Sequence, residues 1–323
     1  MIIITRTPHR ISLFGGSTDY ESYYEQHGSL LVGFAIDKYS YISVRKTPAI
    51  LDIKTRVVYS KTETVNDNSQ IMHNGVRGCL EHMKIKYGVE ISHLCDLPAQ
   101  TGIGSSSSYI VGLLQGLYAL KGNFCNSKCL ADEAIYVERK LLGEKGGIQD
   151  QIWAAYGGAN SIHIDIDGTF EVKPLPISND FMQEFLDRCV LIYSGRSRKS
   201  FAIAQSHDQK KADTYKKQIH QIAKQGYDEF LNKDINNIAN LLHESWSLKK
   251  KISPLISTSH INEMYENLLG HGLIGGKLLG SGGSGFIFGV LGKDVDKRDF
   301  KKKYRKRYID FNIDTQGSVI INE

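Results

Sequence analysis

Apolar and polar positions along the 323-residue chain follow two periods, one typical of strands and one typical of helices. Short apolar runs predict strands at residues 2–5, 39–45, 190–193, 286–290 and 309–313. Segments 107–120 and 261–269 instead repeat their apolar residues at helical spacing, and each is followed by glycine. Helices and strands alternate in both halves, so the pattern predicts an α/β (α+β) protein with helices packed on a sheet in each half.

The chain shows no internal repeat and no low-complexity linker, so a domain boundary must be placed from the change in pattern. That change falls near residue 170 and predicts two domains, residues 1–170 and residues 171–323. A hydrophobic content of 41% is ordinary for a globular protein with a sizeable core.

No run approaches the roughly 20 apolar residues that cross a bilayer, and residues 1–10 place apolar side chains before charges, unlike a signal peptide. We therefore predict a cytoplasmic protein with no membrane partner; assembly into a homo-oligomer is compatible with the sequence. Five cysteines, none in a CxxC pair, predict reduced and mostly buried thiols, with Cys125 and Cys129 as the one pair that could depart from this.

The net charge of +5 is concentrated in the basic stretch at residues 293–308. Such a stretch could bind nucleic acid, but no aromatic stacking platform accompanies it, and a solvated helix face explains it better. We predict no nucleic-acid partner, while anionic small molecules remain compatible with the charge.

Residues 97–109, LPAQTGIGSSSSY, carry a turn rich in glycine and serine between a strand end and a helix start. Gly102 and Gly104 let the backbone approach a ligand, and the free N–H groups of a helix N-terminus suit a phosphate. The serine hydroxyls add donors or a metal ligand. The plainer interpretation is a serine cap after a flexible turn. No Walker lysine follows, so a kinase with this loop binds phosphate without one.

A second glycine cluster at residues 275–290 contains GxGxxG at Gly280, Gly282 and Gly285. A dinucleotide-binding turn requires a helix next, whereas residues 286–290 predict a strand, so that interpretation is rejected. A glycine loop between strands brings bare backbone against a ligand or another loop, and a tight hairpin without function gives the same pattern.

Two carboxylates stand at the edges of predicted helices. Glu138 borders the apolar stripe of a helix predicted over 127–142, and Asp150 lies just inside a helix that follows Gly146 and Gly147. On the residues alone, a solvated or helix-paired glutamate and a dipole-stabilised aspartate are the favoured interpretations.

The sequence resembles the GHMP kinase family across nearly its whole length. The first motif is residues 7–20, TPHRISLFGGSTDY, with Pro8, Arg10, Gly15 and Asp19 in the expected order, and the two glycine loops supply the others. The resemblance implies a GHMP kinase fold, with an S5-like N-terminal domain, a ferredoxin-like C-terminal domain and the active site between them. It also implies ATP and Mg²⁺ as cofactors and a sugar or sugar phosphate as substrate.

The same resemblance assigns roles to individual residues. Asp150 would act as the catalytic carboxylate with Arg10 beside it, and Ser106 and Glu138 would hold magnesium, with Ser105 as the alternative serine. The residues implied in nucleotide binding are Pro98, Gly102, Ile103, Gly104, Ser105, Ser106 and Ser107. The residues implied in substrate binding are Gly16, Ser17, Asp19, Arg198, Lys249, Gly282 and Gly283.

Departures from the family pattern narrow the substrate. Galactokinase-like first motifs read GEHTD, whereas Gly16 and Ser17 stand at the Glu and His positions here, which argues against galactose. Gln100 stands where glycine is frequent. The segments at 112–122, 146–160, 242–250 and 275–286 are most similar to kinases of D-glycero-D-manno-heptose 7-phosphate, which act on the anomeric hydroxyl. Free-sugar 1-kinases of the fucokinase kind, a mevalonate-type kinase and a non-catalytic sugar sensor are the alternatives.

The basic segment at residues 194–200, SGRSRKS, is a candidate anchor for a phosphate on the acceptor. Arg196, Arg198 and Lys199 lie together there, and a guanidinium offers two donors in a fixed fork. A solvated loop explains the segment equally well. Lys249 is a further candidate for the same role.

Overall fold

The computed structural model describes residues 1–48, 50, 54–195 and 209–322. Within these residues the strands form one eight-stranded sheet and one three-stranded antiparallel sheet. The strands are β1 (Ile3–Phe14), β2 (Ser29–Lys46), β3 (Thr55–Val58), β4 (Thr62–Val65), β5 (Val89–Cys95), β6 (Ala159–Ile164), β7 (Phe170–Pro174), β8 (Cys189–Tyr193), β9 (Leu273–Leu278), β10 (Phe286–Leu291) and β11 (Val319–Asn322). The α-helices are α1 (Glu21–His27), α2 (Asn74–His82), α3 (Ser105–Leu120), α4 (Ser127–Ile135), α5 (Gln149–Tyr156), α6 (Asn179–Arg188), α7 (Gln209–Asn232), α8 (Ile235–Ile252), α9 (Ser259–Leu269) and α10 (Lys297–Lys303).

The eight-stranded sheet is organised by the long strand β2, which pairs with β1 along its length, with β5 at its C-terminal half and with β6 at its N-terminal half. Helix α3 packs closely on β1 and β2 because it has glycines on that face. A methyl group on Gly112 would lie 2.6 Å from Thr7 Oγ1, and one on Gly116 would lie 2.8 Å from Val44 Cγ1. This close packing fixes the N-terminus of α3 relative to β1.

Strand β1 is longer than predicted and carries buried polar residues in its second half. The prediction stopped at residue 5, whereas the strand continues to Phe14. His9, Arg10 and Ser12 are at most 5% exposed, although residues of these types usually mark loops or surfaces. The apolar pattern therefore missed the part of the strand that enters the site.

The three-stranded sheet has the order β8-β10-β9 and is covered by α8 and α9. The strands predicted at 190–193 and 286–290 are confirmed as β8 and β10, and the helix predicted at 261–269 is confirmed within α9. The strand predicted at 309–313 is wrong, because this segment makes only isolated bridges. It passes from one sheet to the other: Ile309 N donates to Leu191 O, and Asp37 N donates to Asn312 O.

The two sheets do not divide the chain at a single position. Strand β7 pairs with β6 and extends the first sheet to Pro174, and the C-terminal strand β11 returns to pair with β1. The placement of one boundary at residue 170 stays a prediction, and the last strand of the 171–323 segment lies in the first sheet.

The helix predicted over residues 127–142 begins at Ser127 as expected, but its last part, Tyr136–Leu141, is a π-helical turn. Glu138 lies in this turn, and such turns often occur at functional sites. At the start of the same helix, Cys125 and Cys129, the pair named as the exception to the prediction of reduced cysteines, are joined by a disulfide. Cys79 and Cys189 are buried free thiols, and Cys95 is exposed.

None of the helices in the described part of the chain has the length and apolar character that a membrane span requires.

Candidate active site

The two glycine loops lie against each other, backbone to backbone. Gly102 and Gly104 have φ angles of +79° and +78°, and a methyl group on Gly280 would lie 2.3 Å from the Cα of Gly102. Phe286 N also donates to Thr101 O, which joins the second loop to the first. Side chains at Gly102 or Gly280 would separate the loops, so glycine is required at both positions.

The other residues of these loops that were predicted to bind nucleotide or substrate each make one or two contacts within the protein. Pro98 accepts a hydrogen bond from Thr101 through its carbonyl oxygen, and Gly283 N donates to Ile256 O. A methyl group on Gly282 would lie 2.6 Å from the same Ile256 oxygen. Their roles in binding nucleotide or substrate stay predictions.

The serines at the start of α3 have four different environments. Ser106 is exposed at the helix N-terminus, while Ser105 Oγ is buried and has no hydrogen-bond partner. Ser107 Oγ donates to Glu138 Oε2 at 2.8 Å, and Ser108 Oγ donates to Pro8 O at 2.7 Å. The helix N-terminus and the orphaned hydroxyl of Ser105 therefore offer donors to an anion.

Arg10 joins the first glycine loop to Asp150. Its Nε donates to Asp150 Oδ1 at 2.7 Å, its Nη1 donates to Gly102 O at 2.6 Å, and its backbone N donates to Ile103 O. Asp150 lies in the first turn of α5, as predicted, with a quarter of its side chain exposed. The pair predicted from the resemblance is thus in contact, and its carboxylate remains accessible to a ligand.

A second carboxylate, Asp19, lies just behind this pair. Its two oxygens accept hydrogen bonds from Ser17 N at 3.1 Å and Gln149 N at 3.3 Å, and its residue is 1% exposed. Burial and the neighbouring Asp150 raise the pKa of Asp19. Gly147 is required here, because a methyl group on it would lie 1.7 Å from Asp19 Oδ2. Asp19 therefore holds the turn containing Ser17 against the start of α5.

Two buried lysines lie at the same place, and only Lys249 was expected from the sequence. Lys249 Nζ donates to Gly280 O, and Lys277 Nζ donates to Leu13 O at 2.9 Å. Burial lowers the pKa of Lys249 to about 8 and lowers that of Lys277 well below its ordinary value. Neither lysine has a carboxylate within 4.0 Å among the described residues. An anionic ligand would compensate these charges.

Lys277, Ser12, Gln149 and Gln151 were missed from the sequence. Lys277 is 3% exposed and is the charged residue in an otherwise apolar and glycine strand, β9. A lysine in a buried strand immediately before a glycine loop is the signal that could have found it. Arg198, with Arg196 and Lys199, lies outside the described residues.

Glu138 is buried beside the start of α3. Its Oε2 accepts hydrogen bonds from Ser107 and from Gln151 Nε2, and Arg139 Nη2 lies 3.6 Å away. Burial raises the pKa of Glu138 to about 7, against the opposing effect of Arg139. Ser107 is therefore the serine that contacts Glu138, whereas no hydrogen bond joins Glu138 to Ser106. The assignment of Ser106 and Glu138 to one metal ion stays a prediction.

The raised pKa of Glu138 predicts an unusual pH dependence of stability. Between pH 4.5 and about 7 the folded chain binds a proton more tightly than the unfolded chain, so stability falls as the pH rises. We expect Glu138→Gln to stabilise the metal-free protein at pH 8 by roughly 2 to 3 kcal/mol more than at pH 5. Urea unfolding at both pH values measures this. Glu263→Gln, at an exposed position on α9, is the control, and an equal response of both variants would contradict the burial of charge at Glu138.

Comparison with known proteins assigns the chain to a family. The profile of the GHMP kinases N terminal domain matches residues 74–158, and that of the GHMP kinases C terminal domain matches residues 227–310. The chain therefore belongs to the GHMP kinase family. It is an ATP-dependent enzyme, a sugar kinase of this family, as predicted.

Individual relatives cover the whole chain. A D-glycero-alpha-D-manno-heptose 7-phosphate kinase of Campylobacter jejuni is 26% identical over 98% of this chain and 97% of its own length. A mevalonate kinase of Methanocaldococcus jannaschii is 23% identical over 96% and 98%. The crystal structure of a D-glycero-D-manno-heptose 1-phosphate kinase from Bacteriodes thetaiotaomicron has a TM-score of 0.82 at 22% identity, covering 100% of this chain and 99% of that one. The GHMP kinase fold is thus confirmed.

Proposed function

We propose that this chain transfers the γ-phosphoryl group of ATP to the anomeric hydroxyl of D-glycero-D-manno-heptose 7-phosphate, giving the 1,7-bisphosphate. The observation that carries the proposal is a pair of buried lysines beside the Arg10–Asp150 pair. Lys249 and Lys277 have no carboxylate within 4.0 Å among the described residues, and burial, together with nearby Arg10, lowers the pKa of both. An anionic acceptor would stabilise their charged forms, and the full-length similarity to a heptose 7-phosphate kinase supports such an acceptor.

In this reaction Asp150 accepts the proton of the attacking hydroxyl as that oxygen forms its bond to the γ-phosphorus. The bond from phosphorus to the β-bridging oxygen breaks, and ADP leaves. Arg10, which touches Asp150 and the first glycine loop, offsets charge on the transferring group. The N-terminus of α3 and the loop backbone bind the nucleotide phosphates without a Walker lysine. Positioning and electrostatics supply most of the rate enhancement in such reactions.

Magnesium fits the residues beside the nucleotide loop. The buried carboxylate of Glu138 and a serine hydroxyl, from Ser106 or from the orphaned Ser105, form a sparse oxygen set that suits an ion retaining several waters. The ion would neutralise nucleotide phosphate charge. Among the described residues, no group of three or more His, Cys, Asp and Glu side chains is arranged to hold a metal, which agrees with a metal shared with the nucleotide.

The acceptor's own phosphate is proposed to bind Lys249, with Arg198 as the second anchor. Lys249 is 6% exposed, and its Nζ donates to Gly280 O of the second glycine loop, which places this cation beside the loop. The pKa of about 8 leaves most of this lysine charged at neutral pH.

Release of ADP over a panel of hexoses, heptoses, their phosphates and mevalonate tests the function. We expect kcat/KM on heptose 7-phosphate to exceed that on the bare heptose at least about tenfold, because a charged hydrogen bond contributes about 1.5 to 3 kcal/mol. ³¹P NMR of the product identifies the phosphorylated position. Lys249→Met and Arg198→Ala should each reduce the preference. Equal wild-type efficiency on both heptoses would move the assignment to a free-sugar 1-kinase.

A further inference from the structure

A cavity of about 520 Å³ lies between α9 and the turn that follows α10. Its volume is within the range of about 300 to 1,000 Å³ that is typical of small-molecule sites. The residues that line it are His260, Glu263, Met264 and Asn267 of α9 and Lys303, Tyr304, Arg305, Lys306 and Arg307 at the end of α10 and in the turn after it. The cavity therefore shares no residue with the two glycine loops or with the Arg10–Asp150 pair.

The cavity carries an excess of positive charge. Its lining contains four cations, Lys303, Arg305, Lys306 and Arg307, and one carboxylate, Glu263. In the described part of the chain, no carboxylate lies within 4.0 Å of any of these four cations. An anionic ligand would supply the missing negative charge.

Other cations of the basic stretch at residues 293–308 have partners within the protein. Lys301 Nζ lies 2.6 Å from Asp310 Oδ2. Arg298 Nη2 lies 3.1 Å from Asp296 Oδ2. Such pairs are ordinary for the solvated helix face that the sequence predicts. A solvated face does not explain why four unpaired cations gather around one cavity.

The guanidinium of Arg307 is held in place within the protein. Its Nη1 donates to Ser194 O at 3.1 Å, and His260 Nε2 lies 2.9 Å from the same oxygen. Ser194 is fully buried and is joined to Gly285 by hydrogen bonds in both directions. Among the described residues, no acceptor bonds Nε or Nη2 of Arg307. A guanidinium fixed in this way loses little conformational freedom when an anion binds its remaining donors.

Two apolar side chains also line the cavity. Met264 and Tyr304 are half-buried, whereas the four cations are exposed. The ring of Tyr304 packs on Phe300 with their centroids 4.6 Å apart, and its hydroxyl donates to Asn267 Oδ1 at 2.7 Å. An aromatic face and a thioether side chain make favourable contacts with rings and alkyl groups. The lining therefore suits a ligand that combines an anionic group with an apolar body.

We propose that this cavity binds a phosphorylated small molecule with an aromatic or apolar body, at a site separate from those of ATP and the sugar. The phosphate group contacts Arg307, Arg305 and Lys306, and the body contacts Met264 and Tyr304. A phosphate dianion fits better than a monocarboxylate, because it carries more charge and offers three oxygens to the guanidinium forks. The site is additional to the proposed function and does not depend on which sugar is phosphorylated.

The first test uses phenyl phosphate as the probe, because it joins a phosphate dianion to a single aromatic ring. The chain has five methionines, so the methyl spectrum of protein labelled with ¹³C-methyl methionine is simple, and Met264→Leu identifies the signal of Met264. Met264 Sδ lies 3.7 Å from Arg307 Nη1, so this methyl group reports on the cavity. Met83, buried at the end of α2, is the internal reference.

We expect phenyl phosphate to shift the Met264 signal saturably and to leave that of Met83 unchanged. It should bind at least about tenfold more tightly than inorganic phosphate, because its ring also buries apolar surface. Phenol, which lacks the phosphate, should bind more weakly than phenyl phosphate by a similar factor. A Met264 signal that does not move at millimolar phenyl phosphate would overturn the proposal.

The second test removes two of the cations by combining Arg305→Gln with Lys306→Gln. Both side chains are exposed and unpaired among the described residues, so the fold should persist. We expect this double variant to bind phenyl phosphate about tenfold more weakly, because two charge-assisted contacts are lost. The matched control combines Lys293→Gln with Lys302→Gln, which changes the net charge equally at exposed positions of the same basic stretch outside the cavity. Its affinity should stay within about twofold of the wild type.

Three further outcomes would overturn the proposal. Equal weakening in the two double variants would show unspecific attraction by net charge. Loss of the Met264 shift when a magnesium complex of a non-hydrolysable ATP analogue is bound would show that the probe acts through the nucleotide site; we expect the shift to persist. A higher KM for a phosphorylated sugar alone, in the variant that lacks Arg305 and Lys306, would assign the cavity to the acceptor's own phosphate.

Discussion

Asp150→Asn is expected to lower kcat by about a hundredfold or more, because losing a positioned proton acceptor typically costs that much. The substitution keeps the shape of the side chain and an oxygen that can accept from Arg10 Nε, so the loop contacts through Gly102 should persist. ATP affinity should therefore change little. Single-turnover rates measured with saturating sugar, together with nucleotide titration by calorimetry, give the two quantities separately.

The matched control for this variant is Asp180→Asn. Asp180, like Asp150, lies in the first turn of a helix, α6, so both variants lose the same favourable interaction with a helix dipole. Asp180 touches none of the residues at the glycine loops in the described structure. If Asp150→Asn retains a kcat like that of Asp180→Asn, Asp150 is only a stabilising carboxylate at a helix start.

The parts of the fold that follow local rules were predictable from the sequence. Helix α3 was expected from its apolar spacing and begins two residues before its predicted start, at Ser105. The second glycine loop was expected between two strands and lies between β9 and β10. Local periodicity and the conformational freedom of glycine decide these features, and both can be read from a short window of sequence.

Features that depend on distant contacts were not predictable in this way. The second half of β1 buries His9, Arg10 and Ser12, which a local pattern assigns to a surface, because the partners that satisfy Arg10 are 92 and 140 residues away. The segment 309–313 has the apolar pattern of a strand, but it crosses between sheets and pairs only at single residues.

The geometry of the site also depends on contacts between distant parts of the sequence. The resemblance correctly placed Arg10 next to Asp150, since their motifs belong to one family pattern. Its assignment of Glu138 and Ser106 to one metal ion stays a prediction, and the serine that donates to Glu138 in the structure is Ser107. A one-residue difference at a helix start rotates the side chain by about 100°, and only the placement of Glu138 in its π-helical turn decides which serine faces it. Lys277 was missed because the partner of its ammonium group, Leu13 O, is 264 residues away in the sequence.

The ion pair between Arg10 and Asp150 is expected to dominate the local energetics. Arg10→Met should lower the free energy of unfolding by about 2 to 3 kcal/mol, because it leaves Asp150 and Gly102 O without their donor. We place the value at the low end for a buried pair, since a quarter of the Asp150 side chain is exposed to solvent. Urea unfolding of the nucleotide-free protein measures it.

A double-mutant cycle shows whether the two residues act as a unit. Arg10→Met should cost less stability in the Asp150→Asn background, because no charge is then left unpaired, and it should lower kcat far less there than in the wild type. Arg45→Met is the control: Arg45 also pairs with a carboxylate, Glu90, but it is 40% exposed, and its loss should cost at most about 1 kcal/mol. The effects of Arg10→Met and Asp150→Asn on stability and on kcat could instead add up exactly in the double variant. That result would show that Arg10 acts on the glycine loop through Gly102 and not on the Asp150 carboxylate.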